Sequence, residues 1–300
     1  MRWENLREEE FDDAIARSGG LCVLPIGCLE KHGQHLPVGT DWFIADGVCQ
    51  AAAQLEDVVL FPTGAWLGDV CSSHAQKDPK ATRKRGYIGL RPDSLLDILQ
   101  QLCDEIARNG FRKILIVNSH GGNRAMLSFL QRSINYERRD YALLSTTVSN
   151  PKEVFADAVL EAVTAHPEQF PYITPEDIAI LEGFANTFRD GFEDGHASFR
   201  ETALVMGLAP EWVRTDRASA EPGLSTGRAD YLSRADLSFA PGWSANYPNA
   251  FQGYDPVGCT ENIGKALVQI CAKRMSGLYR LLKEDEDCVR MARHLPPTQD

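Results

Sequence analysis

Apolar residues in the first half of the chain alternate between short unbroken runs and longer stretches at helical spacing. Leu21–Ile26 (LCVLPI) is such a run and predicts a buried strand, with a polar, glycine-containing loop after it to Gly39. Residues 41–55 (DWFIADGVCQAAAQL) predict a helix that Thr40 or Asp41 could cap. A short strand is expected at Val58–Phe61, ending at Pro62. From Arg91 to Asn109 the positions Leu95, Leu96, Ile98, Leu99, Leu102 and Ile106 make one helical stripe, closed by Asn-Gly. KILIV, 113–117, is apolar enough to need cover on both faces, as a central parallel strand does. The loop SHGGN follows it, then a helix at about 124–138 and a strand at 141–148.

This order predicts an α/β fold with a mostly parallel central sheet and helices on both faces. In such sheets ligands collect at the carboxyl ends of the strands. The second half is less regular. Helix-start signals stand in NPKE and TPEDIAI, residues 236–256 read as a long ordered loop rich in aromatics, Pro and Gly, and 261–282 predicts a closing helix. The absence of repeats and of Gly/Ser or Pro-rich linkers predicts one domain over 1–285, with 286–300 a loose, charged tail.

Composition narrows the function. The formal net charge of −11 is the wrong sign for binding nucleic acid, where cationic side chains supply most of the affinity. The acidic N-terminus has no apolar signal-peptide region, and no run approaches the ~20 apolar residues of a membrane span, so a cytoplasmic protein is expected. Eight cysteines without a single CxxC read as reduced core residues, with a zinc-thiolate site the alternative that no spacing supports.

Two polar loops carry the candidate chemistry, each directly after a predicted strand. PIGCLEKHGQHLPVGTD holds Glu30, His32, His35 and Asp41 within seventeen residues. In an extended chain Glu30 and His32 point the same way. Two carboxylates and an imidazole suit zinc, manganese or iron, although loop polar residues and a helix-capping Asp41 would look the same. The second loop, Asn118–Asn123, sets His120 beside Gly121 and Gly122, where a ligand can approach the backbone closely. It lacks the lysine and spacing of a phosphate-binding loop. A third segment, GHASFRET, offers His196 and Glu201 five residues apart, a weak signal by itself.

ExH with an aspartate nine residues on, then NxHGGN, then His-x4-Glu-Thr, resembles the creatininase (creatinine amidohydrolase) family from about residue 15 to residue 275. That resemblance implies a hydrolase with two divalent metal ions (Zn, Mn or Fe) per chain. Glu30 and His120 would bind one metal and His32 the other, with Asp41 bridging them. Creatininase carries a metal-binding glutamate where this chain has Gly122, so the second metal needs another donor, for which Glu201 is the candidate. His196 would act as acid and base, and Glu201 could orient it instead of touching metal.

His74, Phe192, Gly121, Gly122 and Asn123 would face the substrate. Phe192 replaces a substrate-facing tryptophan of creatininase and, with Gly122, argues against creatinine itself. Lys31 and Gln34 flank the ligands. The basic stretch 76–85 would reach an anionic substrate or remain a solvated loop. The expected reaction is hydrolysis of a cyclic or simple amide. The alternatives are C–C hydrolysis of a cyclic diketone such as a keto-inositol, and a non-catalytic metal- or sugar-binding module. The expected partner is a small molecule, in a homo-oligomer as large as a hexamer.

Overall fold

The computed structural model describes residues 1–70, 86–148, 152–191 and 193–294. In chain order the elements are α1 (Phe11–Arg17), β1 (Leu21–Ile26), α2 (Thr40–Ala52), β2 (Val59–Leu60), α3 (Pro92–Arg108), β3 (Lys113–Asn118), α4 (Asn123–Ile134) and β4 (Ala142–Thr147). There follow α5 (Ala156–Ala165), α6 (Pro175–Arg189), α7 (Phe199–Leu208), α8 (Asp230–Arg234), α9 (Gly242–Asn246), α10 (Glu261–Glu284) and α11 (Asp287–Ala292).

The sheet runs β2-β1-β3-β4, and every pairing is parallel. Side chains alternate across a strand, so β1 and β3 feed two cores. Leu21, Val23, Leu115 and Val117 pack with α2, α5, α6, α7 and α10, whereas Cys22, Leu24, Ile114 and Ile116 pack with α1, α3 and α4. Both cores are continuous with the strands, which is why LCVLPI and residues 114–117 (ILIV) are apolar throughout.

Register aligns the loops that matter. Ile26 pairs with Asn118, and Asn118 with Thr147, so the chain leaves β1, β3 and β4 at one edge of the sheet. The α7 and α10 helices cross almost backbone to backbone, since a Cβ on Gly207 would overlap the Gly264 carbonyl.

Three expectations change. Neither Thr40 nor Asp41 caps α2: Gly39 is the N-cap, Thr40 bonds the Pro37 carbonyl, and Asp41 is turned inward and buried. The 236–256 loop contains the short helix α9. The tail is not loose up to Ala292, because α11 buries Cys288, Val289 and Ala292 against β4, and Glu286 pairs with the buried Lys113. Among the described residues no helix is long and apolar enough to cross a membrane.

Candidate metal centre

The loop after β1 carries Glu30 and His32, and the first turn of α2 carries Asp41. Their meeting depends on Gly27, where a Cβ would overlap the backbone of Asp41 and Trp42. His120 arrives from the loop after β3, and Glu201 from the first turn of α7. All five are buried, in contrast to ordinary loop polar residues.

Three histidines share one pattern. His120 donates its Nε2–H to the Asp69 carbonyl (2.7 Å), His32 its Nδ1–H to the Glu30 carbonyl (3.1 Å) and His196 its Nε2–H to the Lys31 carbonyl (2.7 Å). Carbonyl oxygens only accept, so these bonds fix each tautomer. The remaining nitrogen of each neutral ring presents a lone pair to carboxylates. His120 Nδ1 lies 3.0 Å from Glu30 Oε1 and 3.1 Å from Asp41 Oδ2. His32 Nε2 lies 3.3 Å from Asp41 Oδ1 and 3.6 Å from Glu201 Oε2. His196 Nδ1 lies 3.7 Å from Glu30 Oε1.

Lone pairs facing carboxylates repel unless a positive charge lies between them. The titration of these groups reflects that demand. Burial alone would lower the pKa of His32, but Asp41 and then Glu201 and Glu30 raise it to about 9. His120 is raised well above the ordinary histidine value, against its burial, chiefly by Glu30. Glu30, which burial would raise, is brought to about 2 by His120 and His196, and Asp41 is held well below the usual carboxylate range by His32 and His120. The donor set therefore fits cations. Among the described residues, three groups of donor atoms lie within coordinating reach of one another: Cys28 with Glu30, Asp41 and His120; Glu30 with His32 and His196; and His32 with Asp41 and Glu201. Asp41 is common to the first and the last, with one oxygen towards His120 and the other towards His32.

A cavity of about 400 Å³ opens on the cluster, lined among others by Glu30, His120, Gly121, Gly122, His196 and Trp243. His196 stacks on His32 at 4.0 Å and meets Trp243 edge-on at 5.2 Å. Glu201 accepts from the Ala197 N–H (2.6 Å), and its Oε2 lies 3.6 Å from His32 Nε2.

Gly121 and Gly122 line the cavity, whereas Asn123 is not among its lining residues. It is fully buried, and its amide is committed to Gly27, Asn118 and Asp69. Lys31 and Gln34 are both engaged by Glu221. His35 is packed, bonding the Ala197 carbonyl and approaching Thr202. His74, Phe192 and the basic stretch 76–85 lie outside the described residues. The sequence reading missed Asp69, whose carbonyl orients His120. It also placed Cys28 among ordinary core cysteines, although Cys28, Glu30 and His32 alternate along the loop and could have been read as sharing one face.

A parallel α/β sheet with a shared carboxylate between two imidazoles at the carboxyl ends of its strands is an arrangement suited to binding metal. The chain belongs to the creatininase family, whose model, described as creatinine amidohydrolase, matches residues 4–279. It is 25% identical over 216 residues to the creatinine amidohydrolase of Pseudomonas putida, covering 71% of this chain and 74% of that protein. To the mycofactocin precursor peptide peptidase of Mycobacterium tuberculosis it is 29% identical over 121 residues, 39% of this chain and 47% of that protein. A tryptophan-to-phenylalanine mutant creatininase superposes with a TM-score of 0.68 at 18% identity, covering 95% of this chain and 99% of the other. A manganese creatininase superposes at 0.63 and 17% identity, with the same coverage. These superpositions show the fold.

Proposed function

We propose that this chain is a metal-dependent amidohydrolase that opens the C–N bond of a cyclic or simple amide other than creatinine. One cation would lie among Glu30, Asp41 and His120, and the second among His32, Asp41 and Glu201. The observation that carries this reading is the placement of Asp41, whose two oxygens face the lone pairs of two different, tautomerically fixed imidazoles. Bound there, divalent cations would lower the pKa of a water towards neutrality and polarise the substrate carbonyl.

The chain's own groups divide the remaining work. With Nε2–H committed to Lys31, His196 has only Nδ1 free to accept a proton. It would take one from the attacking water as oxygen adds to the carbonyl carbon. When the C–N bond breaks, its electron pair goes to nitrogen and His196 returns the proton there. Stacking on His32 and the Trp243 edge restrict the ring to that plane. The cavity volume suits a small molecule or the end of a short peptide.

Both relatives named above act, by their names, on C–N bonds, which favours amide hydrolysis over opening of a keto-inositol. The buried donor set favours an enzyme over a binding module. A homo-oligomer, as large as a hexamer, accompanies this reading and is checked by light scattering. The principal test is elemental analysis of wild type and Asp41→Ala, followed by a panel of lactams, formamides, short peptides and cyclic diketones. Close to two divalent metals per wild-type chain, lost in the variant together with amide turnover, is the expected result. One metal retained in the variant, or turnover confined to diketones, would overturn the proposal.

A further inference from the structure

Cys28 lies two residues beyond β1 and is fully buried. Its Sγ is 3.1 Å from Asp41 Oδ2, the same oxygen that faces His120 Nδ1 at 3.1 Å. The donor atoms of Cys28, Glu30, Asp41 and His120 all lie within 4.8 Å of one another. A tetrahedral ion with bonds of ~2.0–2.1 Å to nitrogen and oxygen has donor–donor edges of about 3.3 Å. The edges from His120 to Glu30 and Asp41, 3.0 and 3.1 Å, are close to that.

The backbone around Cys28 is closely packed. On one side Gly27 abuts the start of α2. On the other, a Cβ at Gly68 would overlap the Gly27 carbonyl and come within 2.9 Å of Cys28 Cβ. Asn123 ties the Gly27 carbonyl from below. These contacts hold the Cys28 backbone beside α2, and its sulfur lies against Asp41, whereas Cys22, Cys103 and Cys271 pack in the apolar cores.

We infer that Cys28 is a fourth donor to the cation position framed by Glu30, Asp41 and His120, and that it biases this position towards a thiophilic ion such as zinc over manganese. The inference rests on the metal-binding reading of the same cluster. On binding, the S–H bond breaks, the proton passes to solvent and a sulfur–metal bond forms, with no change of oxidation state. Thiolate donors favour zinc, whereas manganese prefers oxygen. A thiol that only donates a weak hydrogen bond to Asp41 is the simpler role, and serine would perform it equally well.

The test uses demetallated wild type, Cys28→Ser and Cys28→Ala, each checked for folding by circular dichroism. All are loaded with cobalt(II) and examined by elemental analysis and absorption, then by zinc-against-manganese competition dialysis. Wild type is expected to show a thiolate-to-cobalt charge-transfer band in the near ultraviolet. Both variants should lose that band while keeping cobalt, and their preference for zinc should fall at least ~10-fold. Wild type with cobalt d–d bands but no charge-transfer band would overturn the inference, as would Cys28→Ser with undiminished zinc preference, and the metal reading would stand in either case. Wild type that takes up no cobalt would overturn both.

Discussion

His35 offers a quantitative test of how the site is held together. Its Nε2–H donates to the Ala197 carbonyl at 3.0 Å, while Nδ1 is buried beneath Gly33 without a hydrogen-bond partner. Protonation would place a charge and a second N–H where nothing accepts it. Burial, with His32 and His196 adding to it, accordingly lowers the pKa of His35 to about 4, against the Ala197 bond and the more distant Asp255.

The folded protein then binds fewer protons at this position than the unfolded chain, whose histidine titrates at 6.5. The stability that follows is fully present above pH 6.5 and is lost as pH falls through about 4. Linkage puts the loss from this group at ~2 kcal/mol at pH 5 and ~3 kcal/mol at pH 4. His35→Gln keeps a donor for Ala197 and removes the titration. Urea unfolding of both proteins under chelation, from pH 4 to 7.5, should give curves that converge by that amount as the solution is acidified. Curves that stay parallel would show that His35 titrates normally and that the packing argument is wrong. The consequence extends to the metal cluster, because Ala197 also donates to Glu201.

Two further outcomes follow from particular atoms. His32 and His120 must each lose a proton before they can coordinate, so metal affinity measured against a chelator should climb ~10-fold per pH unit for each proton released, and the share due to His32 should fade above about pH 9. Gly207→Ala would drive a methyl group into the Gly264 backbone and should cost at least ~1–3 kcal/mol in thermal denaturation. Because α7 carries Glu201, that variant should also hold less metal by elemental analysis.

The two central strands were legible because a strand buried on both faces cannot hide its character: LCVLPI has no polar position, and in β3 only Lys113 and Asn118, at its two ends, break the apolar run. The long helices announced themselves by spacing and caps, as Thr174 does for α6 and Thr260 for α10. Short helices did not. The five residues each of α8 and α9 make too little periodicity to separate from a loop, and α11 is stabilised by burial against β4 more than by its own sequence. At the site, ionisable side chains could be found by type and spacing. Backbone carbonyls such as those of Asp69, Lys31 and Glu30 carry no residue-type signal, yet they decide which nitrogen of each histidine faces the carboxylates.

Gly122 shows why the ligand set has to be argued in three dimensions. A Cβ there would lie 2.5 Å from His120 Nε2 and 3.1 Å from the Asp69 carbonyl, the two atoms whose hydrogen bond fixes the His120 tautomer. A Cβ at 122 would therefore oblige the His120 ring to shift from this position. In the proposed metal centre, a further donor beside His32 would come from another element. Glu201 stands there in the first turn of α7, held by the Ala197 N–H, on a helix packed closely on α10 at the glycine crossing. On this reading the bare Gly122 and the inward Glu201 answer the same need, a donor that leaves the His120 hydrogen bond to Asp69 undisturbed.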